Sequence, residues 1–268
     1  MRLKEENPEL NGIVKSYNLR GFSFREFINL QTGNSFQPYT LDEILRNHEH
    51  IIKQILPKVS PMKYFQDYLH HGFYPFFLEN RNFTENLLKT MNMMTEVDIL
   101  LIKQIELKYL TKIKRLFYQL AVEGAKAPNV SQLAEEINTS RATVMNYIKY
   151  LADARLINMI YPTGQEFPKK PSKVMMHNSN LMYAIYPIQI DKQEVMETFF
   201  VNSLWKDHKV SQTGKDHYFI VDGEKKFRIC DAQSPNKVRN NPDIIYARYN
   251  TEVGKDNRIP LWLLGFLY

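Results

Sequence analysis

Cysteine occurs once in 268 residues, at Cys230. A single thiol excludes an intramolecular disulfide and fits a reducing compartment, and a small buried residue is its expected role. No apolar run approaches the ~20 residues that a membrane-spanning helix needs; the longest occupies 259–268. The first residues, MRLKEENPEL, are charged and lack the apolar segment of a secretory signal. A cytoplasmic protein with no membrane partner is expected. There is no internal repeat and no low-complexity tract. No G-x-x-x-x-G-K-[ST] occurs, since Gly214-Lys215 and Gly254-Lys255 are each followed by Asp and have no upstream glycine at that spacing. Nor does any apolar strand end in paired acids for magnesium. The chain therefore has no phosphate cradle of its own. G-x-S-x-G is absent too. His48-Glu49-His50 and His70-His71 place their rings on different faces of a helix, which argues against zinc and leaves no metal site to expect.

What is present is an ordinary globular composition, 44% hydrophobic and 24% charged, with 16 Phe and 16 Tyr. That is enough apolar material for one large or several small cores and argues against disorder. The formal charge is +6. Residues 101–174 hold twelve Lys and Arg against six Asp and Glu, so this segment alone equals the net charge of the whole chain. A phosphate-facing surface requires such a local excess; a solvated basic surface accommodates it equally well.

The excess coincides with the most regular pattern in the sequence, NVSQLAEEINTSRATVMNYIKYLADARLI at 129–157. Ser131 can cap a first helix with Leu133, Ala134 and Ile137 inward. Asn138 and Thr139 favour a turn, and Ser140 is a good cap for a second helix. Val144, Ile148 and Leu151 then form one buried stripe. The opposite face carries Arg141, Ala142, Thr143, Asn146 and Lys149. The spacing predicts a helix-turn-helix with a polar outer face, an arrangement used on DNA and also on proteins. A long amphipathic helix over 105–124 precedes it, with Leu107, Leu110, Ile113, Leu116, Phe117 and Leu120 inward and Gly124 ending it. Strands at 156–161 and 173–177 follow, joined by a loop containing Pro162-Thr163-Gly164 and Lys169-Lys170. Candidate DNA contacts are Ser140, Arg141, Thr143, Asn146 and Lys149 on the helix, with Lys169, Lys170 and Lys173 on the wing.

The first third reads as a bundle of short helices. Ser23 and Glu26 form a capping box over Phe24, Phe27 and Ile28. Thr40 opens a second helix with Ile44 and Leu45 inward, and an apolar segment at 51–56 follows. Further helices are expected at 60–69 and 83–95, with the aromatic connector GFYPFFL between them. A strand or irregular lead-in is expected at 13–18. The last third predicts helices at 179–186 and 193–206, the latter burying Val195, Phe199, Val201, Leu204 and Trp205. Strands follow at 209–211, 218–221, 226–230 and 244–249, with Asp222-Gly223 as a hairpin turn and a polar loop at 236–241. The fold class is mainly α with a smaller α/β part.

LRGFSFREFI, HHGFYPFFLE, MTEVDIL, the 129–157 pattern and NRIPLWLLGFLY, in that order, resemble a family of prokaryotic AAA+ ATPases across nearly the whole chain. The resemblance implies a helical lid-like domain at 1–98, a winged helix-turn-helix at 99–178 and a domain related to PD-(D/E)xK nucleases at 179–268. It also implies a preceding nucleotide-binding domain, of which the sequence has no trace, so the chain is expected to start at or just before the lid. ATP and magnesium would then be cofactors only where a separate P-loop domain supplies the site. Arg20 and Arg25 are positioned as lid arginines that could sense a nucleotide, or as surface arginines. For the nuclease-like domain the resemblance places Tyr218 (or His217) at the first acid, Arg228 at the glutamate and Ala232 at the lysine, leaving Glu197 on the preceding helix. A cation in place of a metal-binding carboxylate repels a metal, so lost nuclease chemistry is expected. The expected function is a non-catalytic DNA- or partner-binding region, with duplex DNA, a protein or a missing ATPase domain as partner. The alternatives are a stand-alone winged-helix transcription regulator and a metal-dependent nuclease with an unusual site.

Overall fold

The computed structural model describes Glu9 and residues 20–79, 82–99, 105–205, 207–212, 218–233 and 241–268. The segment 13–18, His217, Lys206 and positions 236–240 of the polar loop lie outside them. Helices dominate, and a smaller β part follows the middle of the chain.

Helix α1 (Phe24–Thr32) begins as its sequence dictates: Ser23 Oγ accepts the Glu26 N–H at 3.2 Å, and Glu26 Oε2 accepts the Ser23 N–H at 2.9 Å. Thr40 and Glu43 repeat the device at α2 (Leu41–Ile55). The apolar segment at 51–56 is not a separate element. It continues α2 past a kink at Asn47, because Ile44, His48, Ile51, Ile52 and Ile55 line one buried stripe. Helix α3 (Pro61–Asp67) widens into a π-helical turn, Tyr68–Gly72. A short 3-10 turn, Pro75–Glu79, leads to α4 (Phe83–Met93) and a second π-helical stretch, Met94–Ile99.

The middle of the chain holds α5 (Leu110–Glu123), α6 (Val130–Glu136) and α7 (Arg141–Asp153), then a hairpin of β1 (Ile157–Ile160) and β2 (Lys173–Met176) in which Ile157 faces Met176. Two expectations here are corrected. Leu107 lies on a 3-10 turn before α5 and is 72% exposed, so it is no part of the inner stripe. Asn129, not Ser131, caps α6, because the helix starts two residues earlier than the hydroxyl would require.

Helices α8 (Ser179–Ile185) and α9 (Lys192–Leu204) precede a sheet of β3 (Val210–Gln212), β4 (Phe219–Val221), β5 (Lys225–Asp231), β6 (Ile244–Tyr249) and β7 (Arg258–Pro260), hydrogen-bonded in that order. The first three strands run antiparallel, and β5, β6 and β7 run parallel. Asp222 and Gly223 turn between β4 and β5 with φ of 54° and 80°, the left-handed pair a tight hairpin needs. The apolar C-terminal run is interior: β7 leads into a buried 3-10 segment, Leu261–Phe266. Trp205, expected inside, is 40% exposed at the end of α9.

Apolar side chains gather in two clusters, and neither coincides with one sequence third. The first joins α1, α2 and α3 to α9, the sheet and the C-terminal segment. Phe24 packs on Phe65, Tyr68 and Phe266, and Phe65 on Phe199. Helix α9 is at its centre and is buried on nearly every side, which its run of Val195, Met196, Phe199, Phe200, Val201 and Leu204 makes favourable. The second cluster joins α4 to α5, α6, α7, the hairpin and α8. Asn180, fully buried, ties the two together. Its amide donates to the carbonyls of Tyr68 and Leu69 at 3.0 and 2.9 Å, and its Oδ1 accepts the Phe73 N–H at 2.9 Å. The π-helical turn strands those backbone groups, and one amide side chain satisfies all three. No helix among the described residues is long and apolar enough to cross a membrane.

Candidate nucleic-acid interface

Helix α7 owes its orientation to the turn before it. Asn138 adopts φ 50°, and its carbonyl accepts Lys112 Nζ at 2.5 Å. Ser140 Oγ accepts the Thr143 N–H at 3.1 Å and lies 2.8 Å from Thr143 Oγ1, so these hydroxyls serve the helix cap. Val144, Ile148 and Leu151 are completely buried against the second core. That leaves Arg141, Ala142 and Asn146 exposed on the outer face. Lys149 is partly exposed and pairs with Asp153 at 2.5 Å.

Exposed Lys169 and Lys170 stand in the loop between β1 and β2. The base of that loop, Glu166 and Phe167, shares a cleft with Lys149, Asp153 and Arg155 at the C-terminal end of α7. The helix and the loop thus flank one concave surface. The other side of the loop is docked: Gln212 N–H donates to the Tyr161 carbonyl at 3.0 Å, and Thr163 Oγ1 lies 3.1 Å from Ser211 Oγ. The exposed groups outside that cleft can take phosphate on Arg141, Lys169 and Lys170, and a polar edge on Asn146.

Lys173 does not belong to that surface. Its ammonium turns inward to Glu197 Oε2 at 2.6 Å, with side chains 12% and 13% exposed, and stands over the Phe219 ring at 5.5 Å. Burial of β2 on both faces explains this: Val174, Met175 and Met176 are all buried, and the ammonium at the strand's first residue reaches back to α9. Other lysines of the basic segment are also held in pairs, Lys108 to Glu106 at 2.6 Å and Lys114 to Glu96 at 2.5 Å.

Glu197, Tyr218 and Arg228 do not form one site. Arg228 lies 6.0 Å from the Tyr218 ring, so those two meet. Glu197 sits on α9 with Lys173, and it accepts Gln193 Nε2 at 3.1 Å. Phe219 and Phe227 face α9, where both pack on Phe200 at 5.3 and 5.2 Å. Arg228 follows Phe227 and points to the other face of the sheet. A one-residue shift in the alignment would bring only Phe219, Phe227 or Ile229 toward Glu197. Among the described residues no three His, Cys, Asp or Glu side chains gather as metal ligands.

Arg20 and Arg25 part company as well. Arg25 is spent on structure, donating to the carbonyls of Tyr268 and Phe36 at 2.9 and 3.0 Å. Arg20 lies over the Trp205 ring at 5.2 Å, and Arg155 lies over the same ring at 5.2 Å. His177 is buried beside them, 5.6 Å from Trp205. Burial first, and then the charges of Arg155 and Arg20, hold its imidazole down to about 3. Sequence reading missed Arg155, Trp205 and His177 as neighbours. The available signal was Arg155 in DARL, a large side chain where a helix C-terminus usually has glycine.

A family described as a domain of unknown function (DUF8612) matches residues 62–192, from α3 to the start of α9. Among curated proteins, the uncharacterized protein MJ1637 of Methanocaldococcus jannaschii is 26% identical over 165 residues, which cover 59% of this chain and 35% of that protein. The chain thus spans about a third of the length of this relative. No solved structure matches.

Proposed function

We propose that α5, α6, α7 and the β1–β2 hairpin act as a winged helix that holds duplex DNA through its phosphate backbone, and that the chain is the non-catalytic C-terminal region of an AAA+ family ATPase. The observation that carries the DNA reading is the exposure of Arg141 and Asn146 on the outer face of α7 together with that of Lys169 and Lys170 on the loop between β1 and β2. The connectivity supports the winged-helix assignment. Lys126, between α5 and α6, forms an isolated antiparallel bridge to Val174 at the edge of the hairpin. Contacts to phosphate give affinity without sequence preference, and Asn146 and Arg141 are exposed residues of this face suited to a base edge.

The order of helix α9, three antiparallel strands and a parallel fourth supports a nuclease-like last domain. The resemblance sets Tyr218 and Arg228 at positions where the family carries metal-binding acids, so this domain is assigned a scaffolding role without cleavage. Helices α1–α4 fill the lid-like position. Fluorescence anisotropy of a labelled duplex at low salt tests the DNA reading. Saturable binding supports it, and an unbound duplex at low salt rejects it. In that event the same face is left for a protein partner.

A further inference from the structure

Two guanidinium groups converge on one small aromatic cavity, and the DNA reading uses neither. The cavity has a volume of about 220 Å³, and its lining includes Arg20, Phe73, Tyr74, Arg155, His177 and Trp205. Its walls come from both cores. Arg20 and Phe73 belong to the α1–α3 side, Met94, Arg155 and His177 to the α7 side, and Trp205 and Tyr268 to the end of α9 and of the chain. Each arginine stands over the Trp205 ring at 5.2 Å, and Arg20 also stands over the Tyr268 ring at 5.8 Å.

Both arginines are placed at some cost. Arg155 holds φ 57°, a left-handed conformation at the end of α7 that glycine would adopt with less strain. The position gains a side chain that reaches the cavity. Gly21 sets Arg20: a Cβ there would come within 2.4 Å of the Phe73 ring and carbonyl. Only glycine lets the chain pass so close beneath Phe73, and Phe22 N–H then donates to the Phe73 carbonyl at 2.7 Å.

We propose that this cavity binds a small oxyanion, phosphate or carboxylate, carried on a planar apolar body, with Arg20 and Arg155 taking the anion and Trp205, Tyr74 and Phe73 packing the body. Burial holds the Arg20 guanidinium below its ordinary range; Tyr268 and Asp207 oppose that, and the charge of Arg155 adds to it. A bound anion favours both guanidinium charges. The neutral His177 supplies a wall without a third charge. At about 220 Å³ the space is below the range of drug-sized pockets, which limits the body to roughly one aromatic ring. Because the walls belong to both cores, occupancy fastens the α7 unit to the rest of the chain.

Trp205 is partly exposed and Trp262 fully buried, so quenching of tryptophan emission by a ligand here reports on Trp205. The probes are phenyl phosphate, benzoate, inorganic phosphate and neutral benzyl alcohol, titrated into the full chain. Saturable quenching by phenyl phosphate or benzoate is expected, together with a raised Tm. Inorganic phosphate and benzyl alcohol should bind at least about tenfold more weakly, since each lacks one half of the recognition. Tighter phenyl phosphate assigns a phosphate ligand, and tighter benzoate a carboxylate. Trp205→Phe should abolish the quench and, because its smaller ring packs the body less well, reduce the Tm shift. Arg20→Gln and Arg155→Gln should each weaken binding by about tenfold or more. Arg155→Lys retains the charge at that strained position and should weaken it less. A linear, unsaturable quench by both aromatic anions overturns the proposal, and so does binding that Arg20→Gln and Arg155→Gln leave unchanged.

Discussion

Lys173 Nζ and Glu197 Oε2 lie 2.6 Å apart, with side chains 12% and 13% exposed, and their contact fastens the hairpin of the second core to the central helix of the first. Removing one partner strands the other in the interior. Lys173→Ala is expected to cost about 3 kcal/mol of folding stability in urea denaturation, and Lys173→Met combined with Glu197→Leu should recover most of it. A single-variant loss below about 0.5 kcal/mol, the scale of an exposed pair, would contradict the buried geometry.

Asn180 is the polar counterpart of that fastening. Asn180→Leu keeps the volume and leaves two carbonyls and one N–H unpaired at the π-helical turn. A loss of at least about 2 kcal/mol is expected from thermal or urea unfolding, because each buried unsatisfied group costs about 1–3 kcal/mol. An unchanged Tm would show that water or a local shift satisfies the turn instead.

His177 gives the fold an acid sensitivity of known sign. Its imidazole is held down to about 3 from an ordinary 6.5, so the unfolded chain takes up the proton first. Its contribution to stability is therefore whole above 6.5 and falls as pH drops from there toward 3. The limiting slope is about 1.4 kcal/mol per pH unit for one group. Stability measured across that window should fall less steeply in His177→Gln. Parallel curves for the two proteins would contradict the assignment of the proton to His177. The nearby Asn158 donates its amide to the His177 carbonyl at 3.2 Å, which leaves Oδ1 to accept from Nδ1 at 3.2 Å and sets the proton of the neutral ring on Nδ1.

Magnesium-dependent cleavage of duplex DNA is expected to be absent from the purified chain. Cleavage that Glu197→Gln abolishes would restore a nuclease reading and require Glu197 to leave Lys173.

Local rules read well from sequence wherever one side chain decides the backbone. The Ser23-Glu26 and Thr40-Glu43 caps, the Ser140 cap, the Asp222-Gly223 turn and the Val144, Ile148 and Leu151 stripe all follow from short-range chemistry, and the structure has each of them. What was illegible depends on contacts between distant segments. The direction of Lys173 follows from where α9 packs, not from the lysine's neighbours in sequence. The separation of Glu197 from Arg228 follows from strand alternation against α9, which motif spacing alone cannot register. The meeting of Arg20, Arg155 and Trp205 joins residues from the start, middle and last third of the chain. The exposed Leu107 and the Asn129 cap were missed by one turn and two residues, the usual uncertainty at helix ends.

The most direct test of the DNA-binding account is the salt dependence of duplex binding in the wild-type chain and in a triple variant, Arg141→Ala with Lys169→Ala and Lys170→Ala. Each lost phosphate contact lowers the steepness of log K against log salt by about 0.9, so the triple variant should be shallower by about 2.7 and weaker at every salt concentration. Lys173→Ala, measured beside it under conditions where it remains folded, should leave the slope unchanged. Equal slopes and affinities for wild type and triple variant would contradict the account.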